Sequence, residues 1–361
     1  MRVRAIGLQN FRNIAATRLE FEGRLQFLGG PNGQGKTNLL EAIGFITALR
    51  SFRAADNAHL INHGQKEAAL SCDLEHELEG PSKLTVKFRP GTKEAWLDET
   101  KVARLADVIG RFPSVVFSSQ DQQLVRGSPG GRRRWLDLTL SATDRAYLNH
   151  LQSYHRALAE RNTLLKRNPA EAELDAFEQV MADHGAALVA KRRDALLDLG
   201  NVLSASYARI ADHAEPTGFS YDPNFDATDA VELMDKLVSG RARDRIMKST
   251  GSGPHRDDFD FTLHDRAAKD FASEGQQRAL VLSLRLAQAD WFRRCMNIEP
   301  VLLADDVLGE LDPVRRERFW RAIAPESQVI ATGTVYPEGD VGDWQKFAVS
   351  EGAFAEASSE G

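Results

Sequence analysis

Residues Gly30-Pro31-Asn32-Gly33-Gln34-Gly35-Lys36-Thr37 spell the pattern G-x-x-x-x-G-K-[ST], and no other feature constrains the fold as much. Such a loop leaves a strand and enters a helix. Glycine lets backbone N–H groups approach phosphate oxygens, and the helix N-terminus adds its dipole. The flanks comply. Leu25-Gln26-Phe27-Leu28 is an apolar run of strand length, and beyond Lys36 the residues Leu39, Leu40, Ile43 and Ile46 recur at helical spacing. At average composition the pattern arises by chance in on the order of one chain in a hundred. Lys36 is the expected partner of the β- and γ-phosphates, and Thr37 the expected Mg²⁺ ligand. Gly30, Asn32, Gly33, Gly35 and Asn38 complete the expected nucleotide contacts.

Two further segments complement this loop. Val301-Leu302-Leu303-Ala304 is an apolar strand that delivers Asp305 and Asp306. One carboxylate suits Mg²⁺, and the next suits polarising a water. Phe271-Ala272-Ser273-Glu274-Gly275-Gln276-Gln277 opens a strong helix. It reads either as a second anion site, useful where it covers the γ-phosphate held by another subunit, or as plain capping by Ser273.

The rest of the chain is read around these anchors. It has 361 residues, 42% of them hydrophobic, and a net charge of -6, which excludes a globally basic nucleic-acid binder. Two cysteines, no leader-like run at the N-terminus and no apolar stretch of bilayer length suggest a cytoplasmic protein without a membrane span. Alternation over residues 68 to 102 predicts strands, with a turn at Asp98-Glu99. Residues 126 to 167 carry nine Lys or Arg against three Asp or Glu, a local net of +6. Arg132-Arg133-Arg134 in that stretch is either a DNA-phosphate patch or a solvated charge run, as are Lys191-Arg192-Arg193 and Arg241 to Lys248. Helical spacing from Tyr147 to Leu165 and from Leu174 to Leu203, broken at Asn168-Pro169, predicts a short helical hairpin. Pro216 to Thr228 reads as a loop, and the tail from Gly352 as disordered. His255-Arg256-Asp257-Asp258 forms a dense polar cluster without an evident chemical role.

Taken in order, these segments resemble the ATP-binding heads of the ABC superfamily, and more narrowly the RecF family of its SMC-like branch. The resemblance rests on Leu8 to Asn13, Gly30 to Asn38, Gly131 to Asp137, Gly253 to Asp258, Gly275 to Arg278 and Asp305 to Asp312. It implies an α/β fold: an ABC-type P-loop ATPase head from residues 1–120 and 265–361, with an inserted helical lid and short helical-hairpin arm over 121–264.

By the same resemblance Lys36, Thr37 and Asp305 bind ATP and Mg²⁺, and Asp306 takes the place where ABC ATPases usually carry a water-polarising glutamate. Ser273, Gly275 and Gln276 face the partner subunit's γ-phosphate, and Asp312 lies in the loop between the two sites. The chain departs from the usual pattern at Glu274, at Phe117 to Asp121 where a metal-sensing loop is expected, and at Ala331 to Thr334, which has no switch histidine. The implied activity is an ATP-dependent homodimer that clamps double-stranded DNA near gap junctions. It would act with RecO and RecR to load RecA and feed the SOS response, and slow ATP hydrolysis would reset it. Rival assignments are a transporter ATPase subunit, opposed by the missing histidine, and an SMC-like structural chromosome protein, opposed by the short hairpin. A head-linked nuclease is opposed by the lack of an acidic nuclease domain.

Overall fold

The structure, a computed structural model, describes all residues except 54–55, 168, 212–214, 227–228, 308–311, 338–341 and 358–361. The chain opens with strands β1 (Arg2–Phe11), β2 (Ile14–Glu20) and β3 (Leu25–Gly29), then helix α1 (Lys36–Ala48). Strands β4 (Ala68–His76), β5 (Gly80–Arg89), β6 (Thr92–Leu97), β7 (Thr100–Lys101) and β8 (Ser114–Ser118) follow. Helices α2 (Gln122–Arg126), α3 (Pro129–Thr143), α4 (Arg145–Leu165) and α5 (Glu171–Ile210) come next, then β9 (Thr217–Asp222) and α6 (Ala230–Met247). The last third holds β10 (Asp258–Leu263), β11 (Arg266–Ala267), α7 (Ala268–Phe271), α8 (Glu274–Met296), β12 (Val301–Asp305), α9 (Pro313–Ala322), β13 (Val329–Gly333), β14 (Trp344–Ser350) and β15 (Ala353–Glu356).

The chain divides into two compact units. The first comprises residues 1–121, 209–212 and 282–361, and the second 122–208 and 213–281. The expected boundaries at 120/121 and 264/265 therefore fall at 121/122 and 281/282. Residues 265–281 group with the insertion because α7 packs on β10 and Gln277 Nε2 donates to the carbonyls of Ala268 and Ala272.

The first unit carries two six-stranded sheets. One runs β2-β1-β4-β5-β6-β7 and is antiparallel throughout. Its strands alternate as a sheet with one solvated face must: Ala68, Leu70, Cys72 and Leu74 are buried, while their neighbours are not. The Asp98-Glu99 turn is a two-residue hairpin with both residues at positive φ. The other sheet runs β15-β14-β3-β13-β12-β8, and all its pairings are parallel except the last hairpin. Every residue of β3 and β12 is buried, which explains why these strands are apolar without alternation apart from Gln26, itself buried and hydrogen-bonded, and the terminal Asp305. Helix α1 packs on β8, β12 and β13 of this sheet.

The second unit holds the sheet β11-β10-β9 and helices α2 to α7. The expected loop at Pro216 to Thr228 contains β9. It pairs with β10 along six residues, and Phe219 meets Phe259 and Phe261. The tail differs as well: Ala353–Glu356 is a strand, and 358–361 lie outside the described residues.

One arginine of each basic run of this unit turns inward: Arg132, Arg192 and Arg241 are buried, while Arg193, Arg243 and Lys248 stay exposed. Arg132 is 2% exposed, grips Asp258 bidentately through Nε and Nη2 at 2.8 and 2.7 Å, and donates from Nη1 to the Gly127 carbonyl. It has no face left for DNA, which corrects the reading of Arg132 as a phosphate contact. Arg133 is half-buried and donates to the Asp257 carbonyl, and Arg134 is half-buried too. Arg192 is held by Asp137 and Asp257, and Arg241 by Glu178 and Glu171. The His255 to Asp258 cluster belongs to this network. Asp257 accepts from Arg192, Tyr221 and the Asn224 amide, while Tyr154 Oη lies 2.7 Å from His255 Nδ1. Burial, and after it the nearby cations Arg256, His155 and Arg133, push His255 down to about 4.

Arg161 is the deepest member. It is fully buried and donates to Glu178, Asp244 and Thr250 at 2.7 to 2.9 Å. Arg161→Met leaves Glu178 and Asp244 without that partner and is expected to cost about 3–5 kcal/mol in urea unfolding. The exposed i,i+4 pair Arg321–Glu317 provides the contrast, with Arg321→Met expected to cost less than about 1 kcal/mol.

Candidate nucleotide-binding site

The carboxyl ends of β3, β13 and β12 lie side by side. Leu28 is level with Thr332, Gly29 with Gly333, and Ala304 with Ala331. Parallel pairing in this register sets the glycine loop, Thr332 and Asp305 along one edge, where open α/β sheets place their ligands.

The loop geometry follows from its glycines. Gly30, Gly33 and Gly35 have φ of 151°, 81° and 115°, values that L-residues rarely adopt. A Cβ on Gly30 would stand 2.4 Å from the Val349 carbonyl oxygen. Asn32 and Gly33 are exposed, and Gly35 opens α1. Lys36 Nζ donates to the Gly30 and Pro31 carbonyls at 2.5 and 3.1 Å, so the ammonium lies across the mouth of its own loop.

Thr37 Oγ1 donates to Asp305 Oδ1 at 2.7 Å, and Thr332 Oγ1 donates to the same oxygen at 3.2 Å. Burial raises the Asp305 carboxyl, Thr37 and Thr332 lower it by hydrogen bonding, and neighbouring Asp306 raises it; the net shift is upward. Asp306 sits at φ 56° with its amide donating to Thr332 Oγ1 at 2.9 Å, so the chain turns sharply as β12 ends.

Beside the loop lies a network that the motifs did not indicate. Glu41 of α1 is fully buried and accepts bidentately from Arg12 Nε and Nη2 at 2.9 and 2.7 Å, together with the Ser51 hydroxyl. Asn38 Nδ2 donates to Asn13 Oδ1, and Arg53 donates to Asn38 Oδ1. The β1–β2 turn is thereby tied to the first turns of α1. A buried acid on an otherwise apolar helix face was the available signal. Asp121 is also fixed, by the Ser118 amide and by Arg285, while Gln120 is exposed.

In the second unit Ser273 begins α8 with a reciprocal cap. Gln276 N donates to Ser273 Oγ, and Ser273 N donates to Gln276 Oε1. Gln276 also donates to Glu215, and Ser273 remains exposed with Gly275 half-buried behind it. The capping alternative is therefore present in the geometry, and it leaves the Ser273 segment at the surface. Asp312 caps α9, accepting from the Arg315 amide at 2.9 Å. Leu308 to Leu311, from the same motif, lie outside the described residues.

The donor set fits Mg²⁺. Two cis oxygens bound at 2.0–2.1 Å stand about 2.9 Å apart, close to the 2.7 Å between Thr37 Oγ1 and Asp305 Oδ1. Among the described residues no three His, Cys, Asp or Glu side chains cluster to hold a metal.

A parallel sheet with a phosphate loop and an acid-tipped strand at one edge defines an ABC-type P-loop head. The family described as RecF/RecN/SMC N terminal domain matches residues 2–335. "DNA replication and repair protein RecF" of Geobacter metallireducens is 37% identical over 321 residues, 87% of each chain. The protein of that name from Streptococcus pneumoniae strain CGSP14 is 33% identical over 91% of each chain. A solved structure titled "Structure of the recombination mediator protein RecF-ATP in RecFOR pathway" superposes with a TM-score of 0.91 at 27% identity, covering 99% of this chain and 97% of that one. An Smc head bound to ScpA shares the fold at a TM-score of 0.56 and 15% identity. The chain belongs to the RecF family of DNA replication and repair proteins. No helix among the described residues is long and apolar enough to cross a membrane.

The raised pKa of Asp305 gives a stability prediction. Its folded-state pKa lies above the unfolded one, so the ionised carboxylate weakens the nucleotide-free fold above the folded pKa. That loss disappears below the unfolded pKa, where both states are protonated. Asp305→Asn should therefore unfold at a higher urea midpoint than wild type at neutral pH. The gap should close as the pH falls through the carboxylate range.

Proposed function

We propose that this chain is an ATP-dependent DNA-binding protein of recombinational repair. ATP binding joins two copies, the dimer clamps duplex DNA near single-strand gaps, and slow hydrolysis resets it. RecO- and RecR-type mediators act with it to load RecA. The observation that carries the reading is the meeting of Thr37 and Asp305 beside Lys36 at the edge of the parallel sheet, in a chain that superposes almost throughout on an ATP-bound RecF.

In this reading the glycine loop presents amides to the phosphates, and Lys36 exchanges its two loop carbonyls for β- and γ-phosphate oxygens. Thr37 and Asp305 hold Mg²⁺, which neutralises phosphate charge when bound. Asp306 projects from the strand end and polarises water. Ser273, Gly275 and Gln276 serve the other subunit's γ-phosphate, and Asp312 stands between the two sites. Of the three arginines read as DNA contacts, only Arg133 and Arg134 remain candidates.

Two substitutions test the proposal through duplex binding. Lys36→Met should remove ATP-dependent binding to gapped duplex and lower ATP affinity at least tenfold. Asp306→Asn keeps the size of the side chain but not its charge. It should bind ATP normally, hydrolyse it at least tenfold more slowly and dwell longer on DNA. ATP-independent duplex binding by wild type, unchanged in Lys36→Met, would contradict the reading.

A further inference from the structure

The hairpin β14–β15 turns at Glu351 and Gly352, and this turn abuts the phosphate loop. Ser350 pairs with Ala353 across it, and both turn residues have positive φ, 52° and 78°. Glu351 N donates to Gln34 Oε1 at 2.7 Å, and Gly352 N donates to the Gln34 carbonyl at 2.8 Å. Contact is close on all sides. A Cβ on Gly352 would lie 2.5 Å from the Asn13 carbonyl oxygen, and one on Gly35 would lie 3.4 Å from Gly352 Cα. Gly30 fits against Val349 of the same hairpin. Three segments remote in sequence, at Asn13, Gln34 and Gly352, thus meet at one point.

We propose that the Glu351–Gly352 turn is a positioning element of the phosphate loop, holding Gln34 so that the loop keeps its phosphate-binding shape before nucleotide arrives. In a planar trans peptide the carbonyl and the following N–H point in opposite directions. Anchoring the Gln34 carbonyl to the hairpin therefore aims the Gly35 N–H away from the hairpin. Gly33 and Gly35 flank Gln34 and give the backbone there wide freedom. The two hydrogen bonds remove that freedom in the apo protein, so ordering the loop does not detract from ATP binding. Neither residue touches phosphate in this account; both act through the loop backbone.

The inference rests on the proposed ATP site, and its test separates the two. Three variants are compared with wild type. Gln34→Leu removes the side-chain acceptor at similar size, and Gly352→Ala drives the turn off Asn13. Gly91→Ala is the control: Gly91 is the second residue of the β5–β6 turn at φ 74°, with nothing within 4 Å of its Cβ position. It carries the same backbone strain without loop contact.

Two readouts are taken, the dissociation constant for Mg-ATP and amide hydrogen exchange of residues 30–38 without nucleotide. Gln34→Leu is expected to raise the dissociation constant about threefold and Gly352→Ala about tenfold. Both should speed exchange in the loop, whereas Gly91→Ala should change neither readout. Wild-type ATP affinity and loop exchange in Gln34→Leu would overturn the proposal, as would an equal effect in Gly91→Ala. Should Gly352→Ala fail to fold, Gln34→Leu decides. Exchange is measured without nucleotide, so it tests the clamp even where wild type binds no ATP, the result that would sink the functional reading instead.

Discussion

The hydrogen bond from Thr37 Oγ1 to Asp305 Oδ1 joins residues separated by 268 positions, and the first unit is organised to make it. It requires β3 and β12 to end level, with β13 between them, because the bond closes across the sheet edge. That register is set by strands buried on both faces, where a slip would drive Asp305 into the apolar interior. Thr332 on the intervening strand then supports both ends of the arrangement, donating to Asp305 and accepting from the Asp306 amide. Burial is the main reason that the Asp305 carboxyl is raised, with neighbouring Asp306 adding to it, so an ionised carboxylate at this strand end costs stability.

Around that edge, an ion pair and hydrogen bonds from neighbouring elements hold the loop and the helix that follows it. Glu41 ties Arg12 to α1, and the hairpin at Glu351–Gly352 restrains Gln34 from the opposite end of the chain. In the second unit Arg132, Arg161, Arg192 and Arg241 replace much of a hydrocarbon core with paired charge. Such pairs add little net stability over apolar packing, but breaking one is expensive. They therefore specify one arrangement of α3 to α6 against the strand pair β9–β10.

Much of the first unit was legible in the sequence, for definite reasons. A phosphate-loop motif has one structural context, so Gly30 to Thr37 announced a strand, a turn and a helix at once. Val301 to Asp306 was legible because a doubly buried strand is apolar without alternation. The basic runs were misleading because charge in sequence carries no direction. Arg132 has the composition of a DNA contact and the position of a buried anchor, and only Asp258, 126 residues away, distinguishes the two. The tail from Gly352 misled for a related reason. Beyond Gly352 the tail is mostly small and polar, but Ala353 to Glu356 carries Phe354 and pairs with β14, whose Phe347 and Val349 supply the apolar face. Ser-Glu-Gly between Val349 and Phe354 was the available hairpin signal.

In the proposed function the nucleotide edge is the switch for association, a second copy completing the site built on Lys36, Thr37 and Asp305. Light scattering of the purified protein with Mg-ATP, with Mg-ADP and without nucleotide tests this most directly. The account predicts a monomer mass of 40.0 kDa without nucleotide and with ADP, and twice that mass with ATP. The same mass in all three conditions, with ATP demonstrably bound, would contradict it.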